Sequence, residues 1–182
     1  VRKDPVSGGS EGEIRQQVET ARDIARDIDA VVDMVNTLEI VRGQAATIKA
    51  ALQGAGTFVW EWDPVTDELA DIDEGFAMLG YPDDPFRPTQ ESWNRLIHPD
   101  DLGANDAAYQ RHARGESEHY DHVYRALAAD GRWRWIHERG RIVERAPDGT
   151  PLRMLGTQTD ITERRRAEGA AVELAERLNK IA

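Results

Sequence analysis

The chain has 182 residues, of which 40% are hydrophobic and 31% charged, and its formal net charge at pH 7 is −11. This acidity argues against a nucleic-acid-binding surface and against binding to an anionic membrane, because both would repel the chain. Cysteine is absent, which excludes disulfides, thiolate nucleophiles and cysteine-ligated metals. No apolar run has the length of a membrane span and no signal-peptide pattern is present, so we expect a cytoplasmic protein without direct membrane insertion.

Residues 1–12 contain a Ser-Gly-Gly-Ser run and predict a disordered lead-in. Residues 13–53 contain no proline and only one glycine, which predicts one long helix. Apolar residues recur along it in steps of four and three, as in a coiled-coil seam: Ile24, Ile28, Val31, Val35 and Leu38. An extra three-residue step from Leu38 to Val41 resembles a stammer. We expect a parallel homodimer through this seam; the alternative is a helix that bends near Gly43 and folds back onto its own domain.

Residues 54–163 predict a compact α+β domain. After a helix stop at Gly54-Ala55-Gly56, the pattern gives two strands in a hairpin, three short helices and three further strands. The predicted elements are strands 57–63 and 68–72, helices 73–79, 89–97 and 100–114, and strands 119–128, 132–144 and 152–160. We expect Asp100 to cap the third of these helices. This order predicts a five-stranded antiparallel sheet with the short helices on one face.

The last strand continues without a loop into a helix over residues 164–182. Thr157, Thr159 and Ile161 alternate with polar residues, as in a strand. Asp160 is then placed to cap the helix, with Glu163 three residues later completing a capping box. A strand joined directly to a helix can transmit a displacement from one to the other.

Residues 58–163 resemble a PAS sensor domain with its PAC half, of the variety frequent in bacterial signalling proteins. No single motif is specific, but together they occur in the family's order and spacing. The matching pieces are 60–63 (WEWD), 75–81 (GFAMLGY), 93–101 (WNRLIHPDD), 124–125 (YR), 130–131 (DG), 133–136 (WRWI), 140–141 (GR) and 156–164 (GTQTDITER).

The resemblance implies a sensory and dimerisation module without catalytic activity of its own. In this family the sheet and helices enclose a small pocket, and flanking helices pass a conformational change to an effector such as a histidine kinase, a diguanylate cyclase or a chemoreceptor tip. Asp160 and Thr162 are the residues we expect to relay the signal. The alternative is a structural dimerisation spacer that binds no ligand.

The family's cofactor chemistries can be tested against the residues. Flavin photoadducts and cinnamoyl chromophores both need a cysteine, so they are excluded. Haem, through His112, and non-covalent flavin stay compatible with the sequence, although we predict no cofactor. The candidate pocket residues are Trp60, Trp93, His112, Tyr124 and Trp135. No metal site is predicted, since His119 and His122 lie on opposite faces of a strand and His98 belongs to a helix start.

Overall fold

A computed structural model describes residues 11–81 and 88–180 of the chain. Most of the predicted lead-in lies outside the described residues. The chain divides between residues 48 and 49 into two compact units. The first unit is helical, and the second contains the sheet with its helices.

The predicted long helix is confirmed as α1 (Glu11–Gly54), a continuous helix of 44 residues without a break at Gly43. No residue of α1 is buried. The five predicted seam residues are all exposed, by between 48% and 60%. These five side chains therefore remain largely exposed in the described part of the chain.

The second unit contains the predicted five-stranded antiparallel sheet, with strand order β2-β1-β5-β4-β3. Its elements are β1 (Thr57–Trp62), β2 (Leu69–Ala70), α2 (Asp73–Met78), α3 (Gln90–Asn94), α4 (Pro99–Ala113), β3 (Tyr120–Leu127), β4 (Trp133–Arg145), β5 (Pro151–Asp160) and α5 (Thr162–Asn179). The strand that leads into the last helix is thus the central one. It pairs with β1 on one side and β4 on the other.

Two glycines on the inner face of the sheet position Trp60. Gly140 and Gly156 pair across β4 and β5, and Gly156 also pairs with Trp60 on β1. The indole ring lies directly over both glycines: a Cβ on Gly156 would overlap the ring, and one on Gly140 would lie 2.8 Å from Cη2. The Trp60 ring therefore fits on the inner face because the neighbouring strands have no side chain at these two positions.

Two predicted helix caps are wrong. His98, and not Asp100, is the N-cap of α4, and its Nδ1 accepts a hydrogen bond from the Asp100 backbone at 3.2 Å. At α5 the N-cap is the residue after Asp160, and Asp160 Oδ1 accepts from the backbone N–H of Thr162 at 2.8 Å. Glu163 makes no capping box, because its carboxylate pairs with an arginine one turn later. Asp160 therefore stabilises the chain's turn into the helix rather than the helix terminus itself.

Candidate functional site

A cavity of about 570 Å³ opens between the inner face of the sheet and helices α3 and α4. Its volume lies in the range of small-molecule binding sites. The residues that line it are Trp60, Trp62, Asp67, Gln90, Glu91, Asn94, Leu102, Gly103, Asn105, Asp106, Tyr109, Tyr120, Glu138 and Met154.

The inner wall of this cavity contains a buried acid, Glu138 on β4, which is only 7% exposed. Its Oε2 accepts hydrogen bonds from the hydroxyls of Tyr120 and Tyr124, both at 2.9 Å. Tyr124 in turn accepts from Trp93 Nε1 at 2.7 Å, and Tyr120 lies 2.5 Å from Asn105 Oδ1. The acid therefore lies at the centre of a hydrogen-bond network that joins α3, α4, β3 and β4.

A neutral Glu138 satisfies this network. A phenol has one proton, so Tyr120 cannot donate to both Asn105 and Glu138. If Glu138 is protonated on Oε2, it donates to Tyr120, which is then free to donate to Asn105. Burial raises the pKa of Glu138 to about 7, although the hydrogen bonds from Tyr124 and Tyr120 oppose this rise. The side chain is therefore an acid that changes charge near neutral pH.

The second oxygen of this carboxyl, Glu138 Oε1, has no hydrogen-bond partner in residues 11–81 and 88–180. Trp60 Nε1, another group of the cavity wall, is buried and also unpartnered there. A buried polar atom without a partner costs about 1–3 kcal/mol. The cavity therefore contains one unused acceptor and one unused donor.

The exposed side of the cavity is acidic. Asp67, Glu91 and Asp106 line it together with the buried Glu138. Asp67 also accepts from Trp62 Nε1 at 3.2 Å and from the Glu91 backbone at 3.3 Å. Among the described lining residues there is no lysine, arginine or histidine. The lining therefore attracts positive charge.

The predicted pocket residues are not all brought together. Trp60 lines the cavity, whereas Trp93 and Tyr124 are fully buried behind it. Tyr124 is hydrogen-bonded to Glu138, and Trp93 is hydrogen-bonded to Tyr124. Trp135 lies on the opposite face of the sheet, where the guanidinium of Arg165 stacks on its ring at 4.0 Å. It is therefore not part of this cavity.

His112, the predicted haem candidate, is buried. Its Nε2 accepts from the backbone N–H of Ile142 at 3.0 Å, so its Nδ1 carries the proton and donates to Ser117 O at 3.0 Å. Both ring nitrogens are occupied by structural bonds, one to β4 and one to the segment between α4 and β3. A haem iron would have to break one of them.

Gln158 on β5 is a further buried polar side chain. It is fully buried, and both its amide oxygen and its amide nitrogen lack partners among the described residues. It packs against α2 so closely that a Cβ on Gly75 would overlap its amide group. The close fit explains why residue 75 is a glycine.

The predicted relay residues lie at the joint between β5 and α5. Thr162 is buried, and its Oγ1 accepts from the backbone N–H of Trp135 at 2.8 Å. The Trp135 carbonyl accepts from Ile161 N–H at the same distance. Asp160 Oδ2 pairs with Arg134 Nη1 at 3.3 Å. The first residues of α5 are therefore held to β4 by three polar contacts.

The last turn of α1 is also tied to the domain. Lys49 Nζ lies 2.8 Å from Asp71 Oδ1 and 3.2 Å from Glu74 Oε1. Gln53 Nε2 donates to the same Glu74 oxygen at 2.8 Å. The end of α1, which belongs to the second unit, is thus held by polar contacts to α2 and to the residue after β2.

Comparison with known proteins agrees with this architecture. A family model described as "PAS fold" matches residues 70–158. The crystal structure of a sensory box histidine kinase/response regulator from Burkholderia thailandensis E264 is similar with a TM-score of 0.60 and 31% identity, covering 73% of this chain and 98% of that one. No helix within the described ranges is long and apolar enough to cross a membrane.

Two curated proteins are also similar. Uncharacterized protein y4lL of Sinorhizobium fredii is 32% identical over 123 residues, which is 68% of this chain and 14% of that protein. The methyl sulfide methyltransferase-associated sensor of Methanosarcina acetivorans is 28% identical over 125 residues, which is 69% of this chain and 12% of that protein. The chain thus spans less than a sixth of the length of either relative.

The order of the strands, the helices on one face of the sheet and the residues matched by the family model all indicate the same fold. PAS domains are sensory and non-catalytic, and the similar solved structure comes from a histidine kinase/response regulator. The chain belongs to the PAS family of sensor domains.

Proposed function

We propose that this chain is the regulatory and dimerisation module of a bacterial, cytoplasmic, multidomain signalling protein of the sensor histidine kinase, diguanylate cyclase or chemoreceptor type. Residues 54–163 form the sensor, and the helices at 13–53 and 164–182 carry the signal in and out. The module has no catalytic activity or cofactor of its own, and its partners are a second copy of the chain and a small ligand.

One observation carries this proposal: the strand that lines the cavity is continuous with the outgoing helix. Met154 on β5 contributes to the cavity wall, and Asp160 and Thr162, six and eight residues later, fix the start of α5 to β4. A ligand that displaces β5 changes these contacts directly. It acts only if it binds one arrangement of the joint more tightly than the other.

The exposed seam supports dimerisation through α1. Burying an apolar side chain stabilises an association by about 1.5–3 kcal/mol, and five such residues are exposed at heptad spacing. Light scattering should give the mass of a dimer. Ile28→Asp and Val35→Asp should give monomers with a folded PAS domain, whereas Asn36→Asp, which adds the same charge outside the seam, should remain dimeric. A dimer that survives both seam substitutions would contradict this interface.

The alternative function is a spacer that dimerises but binds no ligand. The cavity and its unpartnered polar atoms favour the sensor. Mass spectrometry of the purified protein under native conditions, followed by denaturation, distinguishes the two. A released small molecule supports the sensor. A protein that remains unliganded against a broad metabolite library favours the spacer.

A further inference from the structure

We propose that the cavity binds an organic cation, an ammonium or similar positively charged group carried on an apolar or aromatic frame. This inference rests on the proposed function, in which the domain senses a small molecule, and it adds the chemical class of that molecule. It comes from the charge, the free polar atoms and the aromatic walls of the cavity.

The charged residues that line the cavity are all acidic. Glu91 pairs with a surface arginine, at 2.8 Å from Arg95 Nη2, so its carboxylate is partly neutralised. Asp67 and Asp106 accept only uncharged donors in the described part of the chain. No positively charged group contributes to the pKa of Glu138. A cation in the cavity would therefore meet carboxylates that lack a counter-ion, and an anion would be repelled.

The free carboxyl oxygen is a second and independent observation. Glu138 is more than nine-tenths buried and lines the cavity, yet only its Oε2 is hydrogen-bonded. Its Oε1 is thus a ready acceptor for an N–H donor or a contact for a quaternary nitrogen. A charge-assisted bond there would be about twice as strong as a neutral one.

The walls supply the aromatic surface that organic cations prefer. Four aromatic residues line the cavity: Trp60, Trp62, Tyr109 and Tyr120. The rings of Trp62 and Tyr109 meet edge to face at 5.1 Å. Aromatic faces attract ammonium groups through their quadrupole. The unpartnered Trp60 Nε1 would pair with an oxygen or other acceptor on the same ligand.

A metal ion fits less well. No group of three or more His, Asp or Glu residues within 11–81 and 88–180 is arranged to hold one. The volume of about 570 Å³ is also far larger than a single ion needs. A neutral ligand can also donate a hydrogen bond to Oε1, and the affinities of choline and its neutral isostere distinguish such a ligand from a cation.

Binding of a fixed positive charge should favour the ionised form of Glu138. The groups packed around it are Tyr120 and Tyr124 on β3, Asn105 on α4 and Gln158 on β5. The carboxylates of Asp67, Glu91 and Asp106 line the same cavity. His122, which pairs with Glu138 across β3 and β4, stacks on Tyr124 and has its pKa lowered by burial. The affinity for a quaternary ammonium, which cannot titrate, should therefore rise between pH 6 and pH 8.

The test is calorimetric titration of the complete 182-residue chain with choline and benzyltrimethylammonium, with 3,3-dimethylbutan-1-ol as the neutral isostere of choline and benzenesulfonate as an anion. We expect both cations to bind, choline at least about tenfold more tightly than its isostere, and benzenesulfonate not at all. Equal affinity for choline and its isostere, or no binding of either cation, would overturn the proposal.

Matched variants locate the site. Glu138→Gln should weaken cation binding at least about tenfold, whereas Glu118→Gln, which removes an exposed carboxylate, should leave it unchanged. Because Glu138→Gln alters a buried network, a second variant, Tyr109→Leu, removes one aromatic wall and should weaken binding about threefold. Unchanged cation affinity in folded Glu138→Gln would refute the assignment.

The distance between spin labels on the two α5 helices of the dimer tests the relay to α5 separately from the proposal that the cavity binds a cation. If the cations bind and this distance stays constant, the ligand class is supported and the relay fails. If the cations do not bind but a neutral or anionic metabolite changes the distance, the relay stands and the cation proposal is overturned.

Discussion

Replacing Glu138 with glutamine tests whether the buried acid changes charge near neutral pH. Glu138 is the only acid among the described residues that is buried. Raising its pKa from 4.5 to about 7 corresponds to about 3 kcal/mol between the protonated and ionised forms. Between these pH values the folded state binds more protons than the unfolded state, so the stability contributed by this group falls as pH rises. Glutamine keeps the shape and removes the charge.

The stability of Glu138→Gln relative to the unsubstituted protein should therefore increase by up to about 3 kcal/mol between pH 4.5 and pH 8. Urea unfolding followed by tryptophan fluorescence measures this, because all five tryptophans lie within residues 60–135 and report only on the PAS domain. Glu118→Gln is the control and should show no such trend. A difference that stays constant across this pH range would refute a raised pKa at Glu138.

Three further predictions follow from the packing and the ion pairs. Gly156→Ala should destabilise the domain by about 2 kcal/mol, because the new methyl group overlaps Trp60, whereas the open helical site of Gly169 should accept alanine without loss in thermal unfolding. Gln158→Met should stabilise the domain by about 1–3 kcal/mol, since it removes two unpartnered buried polar atoms; destabilisation in urea would show that the amide has a partner. Asp101 is ion-paired to β3, which lowers its pKa to about 2. This stabilising contribution should be lost as pH falls from about 4 to about 2, and Asp101→Asn should remove that part of the acid-unfolding curve; a curve that Asp101→Asn leaves unchanged would contradict the lowered pKa.

The fold could be predicted because the apolar periodicity changes clearly along the chain. The long helix follows from steps of three and four, and the sheet from alternation bounded by glycine and proline turns. The start of α4 could also have been predicted correctly. Proline is favoured at the first position of a helix, so Pro99 makes the preceding His98 the N-cap.

The site was harder to predict, because β4 has two faces of comparable apolar character. The sequence shows that Ile136 and Glu138 share one face and that Trp135 lies on the other, but it does not say which face is covered. The tryptophans favoured the wrong face. In the structure the Trp135 ring lies under arginine side chains, as Arg165 shows, and Glu138 is buried on the inner face.

His112 could have been identified as buried from its spacing. Asn105, Ala108 and His112 are separated by three and four residues, and all three are buried on one face of α4. The arginines at 111 and 114 are close to His112 in the sequence, but they lie on other faces of the helix. The free oxygen of Glu138, by contrast, depends on side-chain contacts between elements distant in the sequence, which no local pattern contains.

The central claim is that an occupied cavity moves α5 through the joint with β5. The chain has no cysteine, so Ala171→Cys, at an exposed position of α5, gives one spin label per chain. Pulsed electron paramagnetic resonance then measures the distance between the two labels of the dimer with and without benzyltrimethylammonium. We expect the distance distribution to shift. In Thr162→Val, which loses the bond to the Trp135 backbone, the shift should disappear, and Thr162→Ser should restore it. A bound ligand that leaves the distance unchanged, or an equal shift in Thr162→Val, would contradict the account.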